Sequence, residues 1–157
     1  NVTKPIPYDH FGDREGLLMA LYQDYSDRQL AKFRETLAVD SKTLEKTIRF
    51  FSAAYIDCAI SAGPETGPIA AALSGSHALQ TFREACVAEC ADCLRTALSP
   101  FVALKGVQGE AVLTAIIGAA EALSTAAGNG VLARNVAEDT LSGAMTGVLE
   151  TYVNSTK

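Results

Sequence analysis

The chain has 157 residues, 48% hydrophobic and 20% charged, with four Cys, no Trp and a formal net charge of −5. A single domain of this length buries roughly 70% of the surface its unfolded chain would expose, so it needs no metal or disulfide to fold, and the composition excludes disordered and fibrous classes. The acidic balance excludes a chain that grips nucleic acid over its whole surface, because phosphate binding rests on clustered Lys and Arg; any DNA contact has to be local.

In chain order, a proline-rich opening leads to Asp13, a good N-cap, and Glu15 in a first turn that favours an anion. A helix is expected from Arg14 to about Ala38, with Leu17, Leu21, Tyr25, Leu30, Phe33 and Leu37 as its apolar face. Asp40 or Ser41 can cap a second helix, whose stripe runs Leu44, Ile48, Phe51, Tyr55, Cys58 and Ala62. "GPETGP" at 63–68 should break it, with Pro68 opening a short helix that ends at Leu73. Ser76 caps a third long segment with two apolar stripes. One holds Leu79, Phe82, Cys86, Cys90, Cys93 and Ala97, and the other Val87, Leu94, Leu98 and Phe101. A helix apolar on two sides is expected at the centre of the fold, and Pro100 should kink or end it.

"KGVQGE" at 105–110 reads as a turn, followed by helices over about 110–127 and 131–153 separated by "GNG". Both carry a stripe of small residues at the same offsets. Ala115, Gly118, Ala119, Ala122 and Ala126 form the first, and Thr140, Gly143, Ala144, Gly147 and Thr151 the second. Small side chains let helix axes approach closely, either within one chain or across a two-fold axis that would make a four-helix bundle. No period-two pattern competes, so the expected fold class is all-α. The longest strongly apolar run, 112–120, falls short of the roughly 20 residues that cross a bilayer. Neither a membrane span nor a signal peptide is expected, and a cytoplasmic location is the default.

"TKPIPYDHFGDREGLLMALY", residues 3–22, resembles the end of the helix-turn-helix in TetR-family transcriptional regulators, and the helix order after it is similar to theirs. The resemblance implies that residues 1–12 are the remnant of a DNA-binding domain ending in its recognition helix. Residues 13–157 would be a ligand-binding and dimerisation domain. It also implies that Thr3 caps the recognition helix, Lys4 reaches DNA, Tyr8, His10 and Arg14 contact phosphates, and Phe11 plugs the small core. The last two helices would form the dimeric bundle. The effector, a small apolar or aromatic molecule, would sit among the preceding helices near Tyr22, Phe51, Tyr55, His77, Phe82 and Cys86. The function implied is that of a homodimeric, ligand-gated repressor of operator DNA.

Cys86, Cys90 and Cys93 lie about one turn apart and could serve a soft metal or an oxidant, but they share a stripe with Leu79 and Phe82, where Cys packs as a small hydrophobe. Two alternatives to the regulator therefore stay open: a thiol- or metal-responsive sensor, and a helical interaction module with no DNA role. No nucleophile, metalloprotease or phosphate-loop motif occurs, so no enzyme, catalytic residue, metal or cofactor is expected.

Overall fold

A computed structural model describes residues 12–40, 43–64 and 66–153. Among the described residues there are six helices and no strand, so the fold is all-α. In chain order they are α1 (Arg14–Asp40), α2 (Leu44–Ala62), α3 (Thr66–Ala72), α4 (His77–Leu98), α5 (Gly106–Gly128) and α6 (Arg134–Val153). Residues 1–11, with Thr3, Lys4, Tyr8, His10 and Phe11, and also Ser41, lie outside the described residues.

Local signals account for most helix ends. Asp13 Oδ1 accepts from the Gly16 amide at 2.8 Å and Ser76 Oγ from the Leu79 amide at 3.3 Å, each satisfying a first-turn N–H that has no helical partner. The cap of α2 is Thr43, whose Oγ1 accepts from the Lys46 amide at 3.2 Å, rather than Asp40 or Ser41. Pro100 lies just past the end of α4, as expected of a residue that cannot continue a helix. Two segments read as breaks are helical. α3 starts at Thr66, because Pro68 then falls in the first turn, where its missing N–H costs nothing. α5 starts at Gly106, so most of "KGVQGE" is the first turn of a helix.

The centre of the fold is α2, not α4. Its residues Thr47, Ile48, Phe51, Ser52, Ala54, Tyr55, Ile56 and Ala59 are buried, and it packs against α1, α4, α5 and α6. α4 buries one stripe, Leu79, Cys86, Cys90, Leu94 and Leu98, while Phe82, Val87, Cys93 and Ala97 are only partly covered. α1 buries Leu30 and Phe33 of the expected face and partly covers Leu17, Tyr25 and Leu37, but it turns Leu21 outward. Tyr22, Ser26, Gln29, Leu30 and Phe33 are buried, whereas Leu21 is 45% exposed. Phe33 meets Phe51 edge to face at 5.2 Å, and Phe51 meets Tyr55 at 5.5 Å, which joins α1 to α2 through a string of rings. α6 closes the far side with Ala137, Leu141, Met145 and Leu149 at steps of four. The buried polar residues of α2 have partners: Thr47 Oγ1 donates to the Thr43 carbonyl and Ser52 Oγ contacts Met145 Sδ.

α5 spans 23 residues and holds an 18-residue stretch of mean hydropathy 1.5, so by length and composition it is long and apolar enough to cross a bilayer, as the shorter run 112–120 is not. In this fold Val112, Leu113, Ile116, Ile117 and Ala120 are packed into the core, and α5 lies against α2, α4 and α6.

Candidate ligand cavity

Two apolar clusters are built around α1. The main one joins Leu30 and Phe33 to α2, α4, α5 and α6, and a smaller one joins Tyr22 to Leu73, Leu79 and Cys86 of the α3–α4 region. Between them lies a cavity of about 400 Å³, bordered by all of the first five helices. Small residues make the room. Ala59 of α2, Gly67 and Ala70 of α3, and Gly118, Ala122 and Gly128 of α5 leave a void where larger side chains would close the seam. A volume of this order accommodates a drug-sized molecule.

Its walls are aromatic and carry one ion pair. Tyr22 and Tyr25 of α1 and Tyr55 of α2 line it, with the rings of Tyr22 and Tyr25 6.2 Å apart and tilted by 48°. Phe82 backs Tyr22 edge to face at 6.4 Å. Across the void, Arg83 Nη2 of α4 meets Glu121 Oε1 of α5 at 2.6 Å, each side chain about one-third exposed. The Nε of Arg83 is buried and without a partner among the described residues. The Tyr25 hydroxyl accepts from Gln29 Nε2 at 3.4 Å.

Burial pushes the Tyr22 hydroxyl up to about 12. Glu121 adds to the shift and Arg83 opposes it. Tyr25 and Tyr55 are also raised, by burial first and then by neighbouring thiols, tyrosines and Glu121. All three are therefore neutral phenols at physiological pH, able to donate and accept hydrogen bonds.

Of the six residues expected at a ligand, Tyr22 and Tyr55 line the cavity and Phe82 supports Tyr22 from behind. Phe51 does not line it, being held in the core between Phe33 and Tyr55. Cys86 is buried in the smaller cluster, with its thiol 3.9 Å from Gln23 Oε1. His77, the first residue of α4, is exposed and away from the cavity. Sequence reasoning missed Tyr25, Arg83 and Glu121. Glu121 had a signal: it is the sole charged residue between Glu110 and Arg134. Gly118 and Ala122, assigned to a dimer face, also border the cavity.

The cysteines are free, with Cys86 and Cys90 buried and Cys58 and Cys93 partly covered. Among the described residues no three His, Cys, Asp or Glu side chains gather to hold a metal. Burial pushes the Cys90 thiol up to about 12, so it stays a protonated, unreactive core group at neutral pH. The unfolded thiol ionises near its ordinary value of 9.0 and the folded one near 12, so the stabilisation is complete below about pH 9 and is lost as pH rises toward 12. Thermal melts between pH 8 and pH 11 should show a falling Tm, less steep in Cys90→Ala. An equal slope in that variant would assign the effect to the tyrosines.

No family model, curated protein or solved structure matches the chain.

Proposed function

We propose that the protein is a ligand-gated transcriptional repressor of TetR type, working as a homodimer on operator DNA in the cytoplasm. The observation that carries this reading is the aromatic cavity, because it lies among the helices where the resemblance puts an effector and is walled by α1, the helix that follows the Tyr-x-His-Phe segment. Arg14 is exposed at the first turn of α1, and in this reading it would meet a phosphate from there. A ligand between α1 and α5 would bias the angle of α1 and so the spacing of two DNA-binding heads. Heads that no longer match half-sites roughly one helical turn apart release the operator.

The surface of α5 and α6 supports the dimeric part of the reading. Ala115, Gly118, Ala122, Thr140, Gly143, Ala144, Gly147 and Thr151 are exposed, with Ala119 and Ala126 half-covered. A Cβ added at Gly118, Gly143 or Gly147 would meet nothing within 4 Å inside the chain. These glycines therefore serve no intrachain close approach, and a second copy would use the flat surface they leave. Because Gly118 and Ala122 also border the cavity, ligand and subunit contact share one edge of α5.

The test is selection of bound sequences from genomic DNA fragments by the full natural protein, followed by release with small aromatic compounds. Recovery of a two-fold-symmetric sequence that a compound releases is the expected result, and absence of any DNA affinity would return the weight to a plain interaction module. Light scattering checks the interface separately. Gly143→Glu and Gly147→Glu should convert a dimer to monomers with the melt nearly unchanged, since both sites are open in the single chain.

A further inference from the structure

We infer that the cavity selects an uncharged aromatic molecule bearing a carbonyl oxygen, and that the Tyr55 hydroxyl is the donor that binds this oxygen. This rests on the reading of the cavity as a ligand site and adds the polar group its occupant carries.

The two formal charges that line the cavity cancel. Arg83 Nη2 and Glu121 Oε1 are paired at 2.6 Å, and their side chains are equally open, at 33% and 32% exposed, so water reaches what either has to spare. A charged ligand would shed its own hydration and find each opposing charge already engaged, whereas an uncharged one leaves the pair in place.

What is unmet lies deeper, and it is a capacity to donate. Tyr55 is 7% exposed and lines the cavity, yet its hydroxyl has no hydrogen-bond partner among the described residues and is not sealed from solvent, so it opens onto the void. The Tyr25 hydroxyl accepts from Gln29 Nε2, which leaves its own hydrogen to donate. Arg83 Nε, which can only donate, is the sole buried side-chain N or O atom without a partner among the described residues, so no buried side-chain acceptor there is left unmatched. A ligand atom that only accepts suits such a lining, and a carbonyl oxygen supplies two lone pairs without a charge. The tyrosine rings and the space left by Ala59, Gly67 and Gly118 fit the remainder of the ligand as a flat apolar body.

Three fluorescent naphthalenes of one size test this on the full chain: the neutral ketone prodan, its analogue with a propyl group in place of the propionyl, and its analogue with a carboxylate there. Prodan is expected to bind at one site per chain, about tenfold tighter than the carboxylate and no weaker than the propyl compound, although its carbonyl must shed water to enter. Tyr55→Phe keeps the ring and removes a hydroxyl that bonds nothing else among the described residues. It should weaken prodan about fivefold, leave the propyl compound unchanged, and move the emission of bound prodan to shorter wavelength as its carbonyl loses a donor. If Tyr55→Phe fails to fold, the emission of prodan on the wild-type chain decides, since a hydrogen-bonded carbonyl emits to the red of prodan in an aprotic solvent. Emission matching the aprotic solvent, or a Tyr55→Phe effect that is absent or equal for the two neutral dyes, would overturn the carbonyl assignment. Tightest binding by the carboxylate would overturn the uncharged one, and both results leave the cavity a ligand site. Failure of all three dyes to bind would instead overturn the ligand-site reading itself.

Discussion

Gly109→Ala should lower the unfolding free energy by about 3 kcal/mol, near the upper end of the cost of overpacking a close-packed site. Gly109 is buried in the first turns of α5, where an added Cβ would lie 2.4 Å from the Leu104 carbonyl carbon and 2.7 Å from its oxygen. Both are backbone atoms, so no side-chain rotation relieves the clash. Either the start of α5 shifts or the segment holding Val102 and Leu104 leaves the core, where both are buried. Urea unfolding followed by far-UV circular dichroism measures the loss. Gly143→Ala is the control, since nothing lies within 4 Å of its Cβ position and Ala is favoured over Gly in a helix by about 1 kcal/mol. Opposite signs at the two glycines, with the larger change at Gly109, are the expected pattern; a Gly109→Ala protein as stable as wild type would show that the α4–α5 connection is not packed as described.

Phe51→Ala should cost about 4 kcal/mol of stability, the range for deleting a buried aromatic ring. Phe51 is 2% exposed and its ring touches those of Phe33 and Tyr55, so its removal leaves a hole at the junction of α1 and α2. The effect separates a core role from a ligand role. Denaturant midpoints should fall sharply in Phe51→Ala, while Tyr25→Phe, which keeps the ring and removes only a half-buried hydroxyl bonded to Gln29, should change stability by about 1 kcal/mol or less. The reverse order would mean that Phe51 faces the cavity and that Tyr25 holds the fold together.

The cavity would change with Phe51 as well, because Tyr55 loses the ring that fixes its position on the wall. Tyr22 has a corresponding support in Phe82. Tyr22 and Tyr55 are thus each backed by a ring that reaches into the packed helices, which preorganises the wall.

What the sequence by itself determined is local. Helical periodicity without a period-two competitor settled the all-α class, and the capping chemistry of Asp13 and Ser76 is visible within three residues of each helix start. Which stripe meets which partner was decided only by the tertiary structure. α4 carries apolar residues on two sides, yet α2 holds the centre, because four helices pack around it, whereas each of α4's two stripes keeps partly covered members. On α1, Leu21 and Tyr22 are adjacent and both plausible inward residues; packing against α3 and α4 buried Tyr22 and left Leu21 outside. Arg83 and Glu121 stand 38 positions apart, and no spacing rule links them. The small residues of α5 show the reason most plainly. A missing side chain lets something come close, and whether that is a neighbouring helix, a second subunit or an empty volume depends on what the rest of the chain brings to that face.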